Sequence, residues 1–336
     1  MNWYYEVNGQ AAGPVSPDEL ARRFHARAIT AQTPVRAQVA GQWLPLERQS
    51  AFAHLFPKST PLVEQAETAP SLTLAQLRDP SELTALRALY VFAAPMYLLL
   101  LYWLVRGARA AHGLGWIYLA LLAGFLWTIN WMIQCFALAR IKTNAVRVSE
   151  SQLPEVNEAA NRCAEALQIA QPEVYVMQHN LWNAFAANLA GRRLIVLYTG
   201  AIDSLLLTGD LDQLTWLLGH QMGHHAAGHT RWTHLLALPG AWFFWIFLWY
   251  SRSRELTCDR LGLYCVGNLH SSLLALSNLT AGAQLARQVN VEQAMTDWVA
   301  CRDEFFVWYS TIHSPHPPLL WRFLHLREAA LELGID

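Results

Sequence analysis

The stretch Leu218-Gly-His-Gln-Met-Gly-His-His-Ala-Ala-Gly-His229 places four histidines within ten positions of the chain. Two of them, His220 and His224, are four residues apart, so both imidazoles leave the same face of a helix. One helix supplies two ligands to a zinc ion at this spacing. The sequence therefore predicts a metal site on a helix that we expect to run from Asp210 to His229.

Gln221 follows the first of these histidines directly. In the zinc-site pattern H-E-x-x-H, this position holds a glutamate that acts as the general base. A glutamine has nearly the same shape and still forms hydrogen bonds, but its amide has no useful basicity near neutral pH. The sequence therefore retains two metal ligands and lacks the base between them.

Glu255 is the predicted third ligand, and Asp259 follows it by one helical turn. Two histidines and a glutamate form a donor set that leaves the fourth zinc position for water. Asp259 shares the helix face of Glu255, where its carboxylate can accept the free ring N–H of a ligating histidine. An ion pair of Asp259 with Arg252 or Arg260 is the alternative.

The other two histidines of the stretch are not predicted ligands. His225 lies about 100° around the helix from His224 and points away from the same metal ion. We expect His225 and His229 to support the ligands from behind or to lie on the surface.

Four motifs follow one another in the second half of the chain. They are Asn183-Ala184-Phe185-Ala186, His220-x-x-Gly223-His224, Ser251-Arg252-x-x-Glu255-x-x-x-Asp259 and His316-Pro317-Pro318-Leu319-x-x-Arg322. Their order resembles the HtpX-type integral-membrane zinc metallopeptidases, relatives of the CaaX prenyl-protein endopeptidases. The resemblance implies a gluzincin-type endopeptidase that binds Zn²⁺ and hydrolyses polypeptide substrates, including membrane proteins, in protein quality control.

The resemblance also implies roles for residues outside the two ligand motifs. His316 would hydrogen-bond the developing oxyanion or gate the zinc, and Arg322 would orient its loop. If His316 only packs beside Pro317, then Tyr309 and His313 are its substitutes.

A substrate-binding cleft is implied as well. The segment Asn183, Ala184, Phe185 and Ala186 and the strand Leu194–Tyr198 would line it. An extended peptide gains main-chain hydrogen bonds by pairing with an exposed strand edge, with little demand on its sequence.

Within this resemblance, Gln221 has two explanations. The chain is either an active peptidase inactivated by a Glu-to-Gln substitution or a natural pseudopeptidase that acts as a membrane adaptor or scaffold. The other site positions are all retained, which favours the first explanation. Loss of a general base slows a reaction roughly a hundred- to ten-thousand-fold.

Two apolar runs indicate a membrane protein. The chain is 54% hydrophobic and 12% aromatic, which is unusual for a soluble protein. The runs Ala88–Val105 and Leu114–Phe136 are each long enough to cross about 30 Å of hydrocarbon as a helix. We therefore predict a two-helix transmembrane hairpin at residues 87–139.

The basic residues predict the orientation of this hairpin. Five of them flank it and two lie in its connection: Arg78, Arg87, Arg140, Lys142 and Arg147 against Arg106 and Arg109. By the positive-inside rule, both flanks are cytoplasmic. We expect a multi-pass protein of the cell inner membrane with its N-terminal and peptidase domains in the cytoplasm.

The aromatic run Leu235–Tyr250 separates the two predicted ligand helices. A single membrane crossing here would strand Glu255 on the opposite side from the histidines, and two crossings need about forty residues. We therefore expect this run to turn at Pro239-Gly240 and either dip into the membrane interface or pack on the hairpin.

The first 55 residues form a separate predicted domain. We expect a strand at Trp3–Val7, a helix capped by Ser16 that continues to about Ala26, and short strands at Thr33–Val39 and Gln42–Leu46. The motifs Trp3-Tyr4, Gly13-Pro14, Leu20 and Trp43-Leu44-Pro45 resemble the bacterial GYF-like domain. GYF relatives bind proline-rich peptides, which implies a peptide or protein partner at Trp3, Tyr4 and Trp43 unless these aromatics are core.

The predicted fold class is α+β and mostly helical. The domains are a GYF-like α+β domain at 1–55, a Pro-rich linker at 56–86, the hairpin at 87–139 and a metallopeptidase domain with a small sheet at 140–336. The net charge of −1 with dispersed basic residues excludes a nucleic-acid partner. Five cysteines without C-x-x-C pairs are typical of reduced thiols.

Overall fold

The chain divides into two compact units, Met1–Pro70 and Ser71–Asp336. The structure is a computed structural model. It describes residues 3–7, 10–25, 29–30, 33–37, 43–46, 49, 51–52, 72–110, 114–179, 184–206, 210–231, 237, 239–282 and 284–335.

In its described residues, the N-terminal unit contains a four-stranded antiparallel sheet in the order β2-β1-β3-β4 and the helix α1. Its elements are β1 (Trp3–Val7), β2 (Gln10–Val15), α1 (Pro17–His25), β3 (Pro34–Ala37) and β4 (Leu44–Pro45). As the sequence predicts, Ser16 caps α1, because its hydroxyl accepts a hydrogen bond from the backbone N–H of Glu19 at 3.2 Å. Strand β2 was not predicted, because glycine and proline at its end indicate a turn.

The core of this unit includes one of the aromatics proposed for peptide binding. Trp3 is 3% exposed and its ring packs edge-on against Phe52. Tyr4 and Trp43 are half-buried, and the guanidinium of Arg36 lies over both rings. Trp3 therefore stabilises the domain, and the accessible aromatic pair is Tyr4 and Trp43.

The second unit is mostly helical and contains one small sheet. Its first helices are α2 (Leu74–Leu77), α3 (Pro80–Ala110), α4 (Leu114–Asn144) and α5 (Pro154–Ala166). Its strands are β5 (Ala145–Arg147), β6 (Glu173–Met177), β7 (Ala184–Leu189) and β8 (Arg192–Tyr198). Then follow α6 (Thr199–Leu206), α7 (Leu211–Ala226), α8 (Phe244–Val266), α9 (Leu269–Ala281), a 3₁₀ turn (Ala286–Gln288), α10 (Val291–Cys301), α11 (Phe305–His313) and α12 (Leu319–Leu333).

The end of the predicted linker 56–86 is ordered helix. Thr73 caps α2 with a capping box, and Pro80 is the first residue of α3. The carboxylate of Asp79 accepts a hydrogen bond from the backbone N–H of Ser81 at 2.9 Å. Proline favours the first position of a helix, so its presence here marks a helix start and not a flexible link.

Helices α3 and α4 are the two described helices that are long and apolar enough to cross a membrane. Each has 31 residues, and the most apolar window is 11% buried in α3 and 0% buried in α4. Both extend beyond the predicted runs. The polar start of α3 packs on α8, and the end of α4 packs on the sheet.

The sheet of the second unit has the order β5-β6-β8-β7. Strands β6 and β8 are parallel, and the other pairs are antiparallel. Alternate residues of β8 face opposite sides, as strand geometry requires. Leu194 and Val196 pack with Leu138 of α4, whereas Ile195 and Leu197 belong to the main helical core. The sheet therefore separates the end of the hairpin from the core, and β7 is one of its two edge strands.

Helices α7 and α8 pack in close contact through glycines. A Cβ atom at Gly219 would lie 2.9 Å from the Cβ of Cys265, and one at Gly262 would lie 2.8 Å from the backbone oxygen of Trp216. Only a residue without a side chain fits at these two positions. The backbones therefore approach closely where α7 carries the paired histidines and α8 carries Glu255.

The aromatic run Leu235–Tyr250 ends inside α8, which begins at Phe244. The Phe243 ring packs against Phe92 of α3 with centroids 4.4 Å apart. Gly240 fits against the backbone of Leu89, where a Cβ atom would clash. The run therefore packs on the first helix of the hairpin, one of the two arrangements that the sequence predicts.

Replacing Gly262 by alanine should destabilise the protein by about 1–3 kcal/mol, because a backbone carbonyl cannot move aside for the new methyl group. The matched control is Gly124→Ala in α4, where a Cβ would have nothing within 4 Å. Thermal unfolding in detergent should show a lower midpoint for Gly262→Ala alone. Equal midpoints for the two variants would contradict the close packing of α7 and α8.

Candidate metal centre

Three predicted ligands converge between α7 and α8. The Nε2 atoms of His220 and His224 lie 3.6 Å from the Oε2 and Oε1 atoms of Glu255, respectively. One donor atom from each residue falls within 4.8 Å of the others. The histidines share a face because they are one helical turn apart on α7, and the close packing of α8 brings Glu255 opposite them.

This donor set fits a zinc ion. In a tetrahedral site with ligand atoms about 2.1 Å from the metal, neighbouring ligand atoms lie about 3.4 Å apart. The two separations of 3.6 Å lie within a few tenths of an ångström of that value. Two neutral imidazoles and one carboxylate also suit a borderline-soft divalent ion.

His220 is held from behind by a buried ion pair. Its Nδ1–H donates to Oδ1 of Asp259 at 2.8 Å, and Arg322 donates to both carboxylate oxygens of Asp259 at 2.7 and 2.6 Å. Burial alone would raise the pKa of Asp259, but the charge of Arg322 outweighs it and the pKa is lowered. Asp259 therefore stays ionised and holds the His220 ring with Nε2 towards the metal position.

Burial and charge also set the protonation of the other ligands. Burial holds the pKa of His224 well below its ordinary value, so the imidazole is neutral and can bind a metal. Burial opposes ionisation of Glu255, but the neighbouring imidazoles of His220 and His316 keep the pKa of this carboxyl well below its ordinary value. Both groups are thus in the form that ligates zinc.

The three ligands open into a cleft of about 720 Å³. One wall is β7, with Ala184, Phe185 and Ala186, and the floor is α7. Asn183, the first residue of the predicted cleft segment, lies outside the described residues. Strand β7 and the three ligands therefore line the same cleft.

Gln221 and His316 both line this cleft. Gln221 is 7% exposed and sits beside His220 on α7, where a general base would face a bound water. The Nδ1 atom of His316 lies 3.6 Å from Oε2 of Glu255, and its side chain is 68% exposed. His316 is therefore close enough to the ligands to face a substrate held in the cleft.

Two arginines make contacts that the sequence did not predict. Arg322 does not hold the His316 loop, because its guanidinium is occupied by Asp259. Arg252 holds that loop instead, since its NH1 group donates to the backbone oxygens of Ile312 and Ser314 at 3.2 and 2.8 Å. Asp259 pairs with neither Arg252 nor Arg260 in the described contacts, since Arg260 donates to Glu332.

The suggested substitutes for His316 lie away from the ligands. Tyr309 stacks on His313 with ring centroids 4.1 Å apart, and His313 accepts a hydrogen bond from the indole of Trp245 at 3.0 Å. Both residues therefore belong to an aromatic cluster on α8 and α11. Neither lines the cleft.

The two remaining histidines of the stretch are buried. His225 contacts the hydroxyl of Thr230 at 2.9 Å and the backbone oxygen of Leu194 at 3.1 Å, which ties α7 to the sheet. His229 follows α7 and lies 3.1 Å from His224, Nδ1 to Nδ1. Helical spacing alone missed this contact, because the turn after Ala226 carries His229 back towards the ligands.

A His₂Glu donor set that opens into a cleft beside a strand edge is typical of a mononuclear zinc hydrolase. The chain belongs to Peptidase family M48, whose model matches residues 150–244 and 233–330, together more than half of the 336 residues. A second family model, GYF domain 2, matches residues 3–52. These matches confirm the resemblance drawn from the motifs and the mostly helical α+β fold class.

Several curated proteins are similar to parts of the chain. Plastoglobule-localized metallopeptidase 48, chloroplastic, of Arabidopsis thaliana is 31% identical over 176 residues, which are 47% of this chain and 49% of that protein. The protease HtpX homolog of Streptococcus gordonii is 27% identical over 111 residues, 33% of this chain and 36% of that protein. The chain thus spans about half or less of the length of these relatives. No solved structure matches it significantly.

The purified chain should contain one zinc ion, and His220→Ala or Glu255→Ala should each remove it, because two ligands no longer hold zinc tightly. The control is His270→Ala on α9, an exposed histidine outside the cluster. Elemental analysis after dialysis measures the zinc content. Zinc retained by both ligand variants would contradict this donor set.

Proposed function

We propose that the chain is a membrane-anchored zinc endopeptidase whose cleft lacks its general base. The observation that carries the proposal is the convergence of His220, His224 and Glu255 beside an edge strand. Membership of Peptidase family M48 supports the same chemistry.

Zinc bound by these ligands would polarise the scissile carbonyl and lower the pKa of a bound water. Side chains of the cleft would stabilise the oxyanion and orient the water. His316 is exposed at its edge and can donate a hydrogen bond to the oxyanion that forms on the substrate. Gln221 can orient the water through its amide but cannot take the proton, so hydrolysis by this chain is slow.

Polypeptides held in an extended conformation are the proposed substrates. Strand β7 pairs with β8 on one side only in the sheet order, and its Ala184, Phe185 and Ala186 line the cleft. A peptide added as a further strand gains main-chain hydrogen bonds with little sequence preference. Such broad binding suits protein quality control.

Gln221→Glu should raise the rate of peptide hydrolysis roughly a hundred- to ten-thousand-fold, because it restores a base beside the metal. Casein or a membrane-protein substrate, assayed with and without a chelator, measures the gain. The double variant Gln221→Glu with Glu255→Ala is the control and should remain inactive.

The same assay separates two origins of Gln221. A gain in rate supports an active peptidase inactivated by a Glu-to-Gln change, since the rest of the site is then competent. Continued inactivity with zinc bound would favour a natural pseudopeptidase. That chain would act as a membrane adaptor, with Tyr4 and Trp43 of its GYF domain as the candidate surface for a proline-rich peptide.

We also propose that α3 and α4 span the cell inner membrane with both flanks in the cytoplasm, an orientation that a fused topology reporter would measure. The basic residues around the hairpin support this orientation. An exposed aromatic surface on α8 and α11 supports a second contact with the lipid headgroups. It is formed by Trp242, Phe244, Trp245, Phe305, Phe306, Trp308 and Tyr309.

This aromatic surface is continuous with α3. Phe92 of α3 packs against Phe243, and the next residue, Phe244, contacts His313 of α11 with centroids 6.2 Å apart. Tyr309 then stacks on His313. Aromatic side chains favour the membrane interface, so a lipid surface around α3 would cover these rings and place the cleft near membrane-protein substrates.

A nitroxide label at position 306 should collide more with oxygen than with a soluble nickel chelate in vesicles, because the interface excludes the chelate. The matched control is position 331, because Phe306 and Leu331 are 78% and 79% exposed and Leu331 lies outside the aromatic surface. Both labels require a background in which Cys135 and Cys301 are serine. Equal chelate accessibility at both positions would contradict the lipid contact.

A further inference from the structure

The second ring nitrogen of His224 leads into a buried chain of polar groups. Its Nδ1 atom lies 3.1 Å from Nδ1 of His229, and Nε2 of His229 lies 3.0 Å from Oε1 of Glu82. The side chains of His229 and Glu82 are 1% and 0% exposed. None of the sequence motifs includes Glu82.

Only one arrangement of protons satisfies these contacts when His224 binds a metal. Its Nε2 lone pair faces the metal position, so Nδ1 carries the proton and donates it to Nδ1 of His229. His229 then carries its own proton on Nε2 and donates it to the carboxylate of Glu82. The Glu82 carboxylate thus orients the His224 ring through hydrogen bonds to a neutral His229.

Further hydrogen bonds hold the carboxylate of Glu82, which is the last group of this polar series. Arg78 donates to Oε1 of Glu82 at 2.6 Å, and the hydroxyl of Thr257 on α8 donates to Oε2 at 2.5 Å. A second nitrogen of Arg78 donates to the backbone oxygen of Ala227 at 2.6 Å. Glu82 is therefore ionised and fixed relative to both ligand helices.

The two metal-binding histidines then have matching supports. His220 is backed by Asp259, which is paired with Arg322, and all three lie in the peptidase motifs. His224 is backed through His229 by Glu82, which is paired with Arg78. In both supports the last group is a buried carboxylate paired with an arginine. The carboxylate of the second support, Glu82, lies in the first turn of α3.

We propose that His229 and Glu82 are positioning residues for the metal ligand His224, so that the first membrane helix supplies part of the zinc site. The inference rests on the proposed zinc site of His220, His224 and Glu255. Groups that orient a metal-bound histidine typically change metal affinity 10- to 100-fold when they are removed.

The same atoms allow a competing arrangement. His224, His229 and Cys258 also lie close enough together to hold a metal ion. That site would need the Nδ1 lone pair of His224, whereas the proposed support needs a proton there. One zinc ion per chain supports the positioning role, and two would overturn it.

The test compares Glu82→Gln with Asp79→Asn in the full chain. Both carboxylates are buried at the start of α3. The carboxylate of Asp79 bonds to Ser81 and His325, and no described contact joins it to His229. Competition with a chromogenic chelator should show roughly 10- to 100-fold weaker zinc binding for Glu82→Gln and little change for Asp79→Asn. Equal affinities of the parent and Glu82→Gln would overturn the proposal, as would equal losses in both variants.

A second pair of variants covers the case in which Glu82→Gln does not fold. His229→Gln keeps a carbonyl that accepts from His224 and an amide that donates to Glu82, whereas His229→Leu keeps neither. The glutamine variant should retain most of the zinc affinity that the leucine variant loses, and the Co²⁺-substituted chain should show a changed absorption spectrum only with leucine. Equal affinity and spectra in the pair would overturn the role of His229.

The outcomes also separate this inference from the proposed function. A parent chain that binds no zinc has no site, and both proposals fail. A parent that binds one zinc ion, lost in His220→Ala but unchanged in Glu82→Gln and His229→Leu, keeps the proposed metal site and overturns only the support from α3.

Discussion

The close contact of two helix backbones is the constraint on which the rest of the site depends. Glycines at 219, 223 and 262 let α7 and α8 approach so closely that a methyl group would clash at Gly219 and Gly262. At a usual helix separation of 8–10 Å, side chains fill the space between the axes. Here glycines replace those side chains, so the imidazoles of α7 lie close to the carboxylate of α8. The convergence of the three candidate ligands therefore depends first on how closely these two helices pack.

Buried charge is balanced in pairs around this contact. Burial disfavours the ionised form of Glu255. The neighbouring imidazoles, and the divalent ion that they would bind, compensate for this cost. Asp259 and Glu82 are each matched by an arginine within 3 Å. Each carboxylate thus faces both a cation and a histidine ring. Protein groups, and not solvent, therefore orient these histidine rings.

The sequence predicts elements that depend on a local pattern, but it does not predict contacts between distant parts of the chain. The strand Trp3–Val7 was predicted with its observed bounds, because a run rich in aromatic and β-branched residues is a local signal. Strand β7 has the alanine-rich sequence AFAANL and exists because β8 lies beside it, which no local pattern reveals. Which arginine pairs with Asp259 depends on the register of α12 against α8, so the sequence did not predict the pair of Asp259 with Arg322. Four prolines suggested a linker at 56–86, yet Pro80 starts a helix.

The contacts of Glu82 move the boundary of the second domain towards the N-terminus, from the position that composition suggests. By composition, the hairpin looks like an anchor attached to a complete enzyme domain that starts near residue 140. Arg78, Asp79 and Glu82 contact α8 and the turn that follows α7, so the segment from Arg78 onward belongs to the same compact unit as the ligand helices. In evolution or in protein engineering, an N-terminal module can be exchanged at the junction of Pro70 and Ser71 while every member of that network is kept. An exchange of the hairpin would remove part of the network with it.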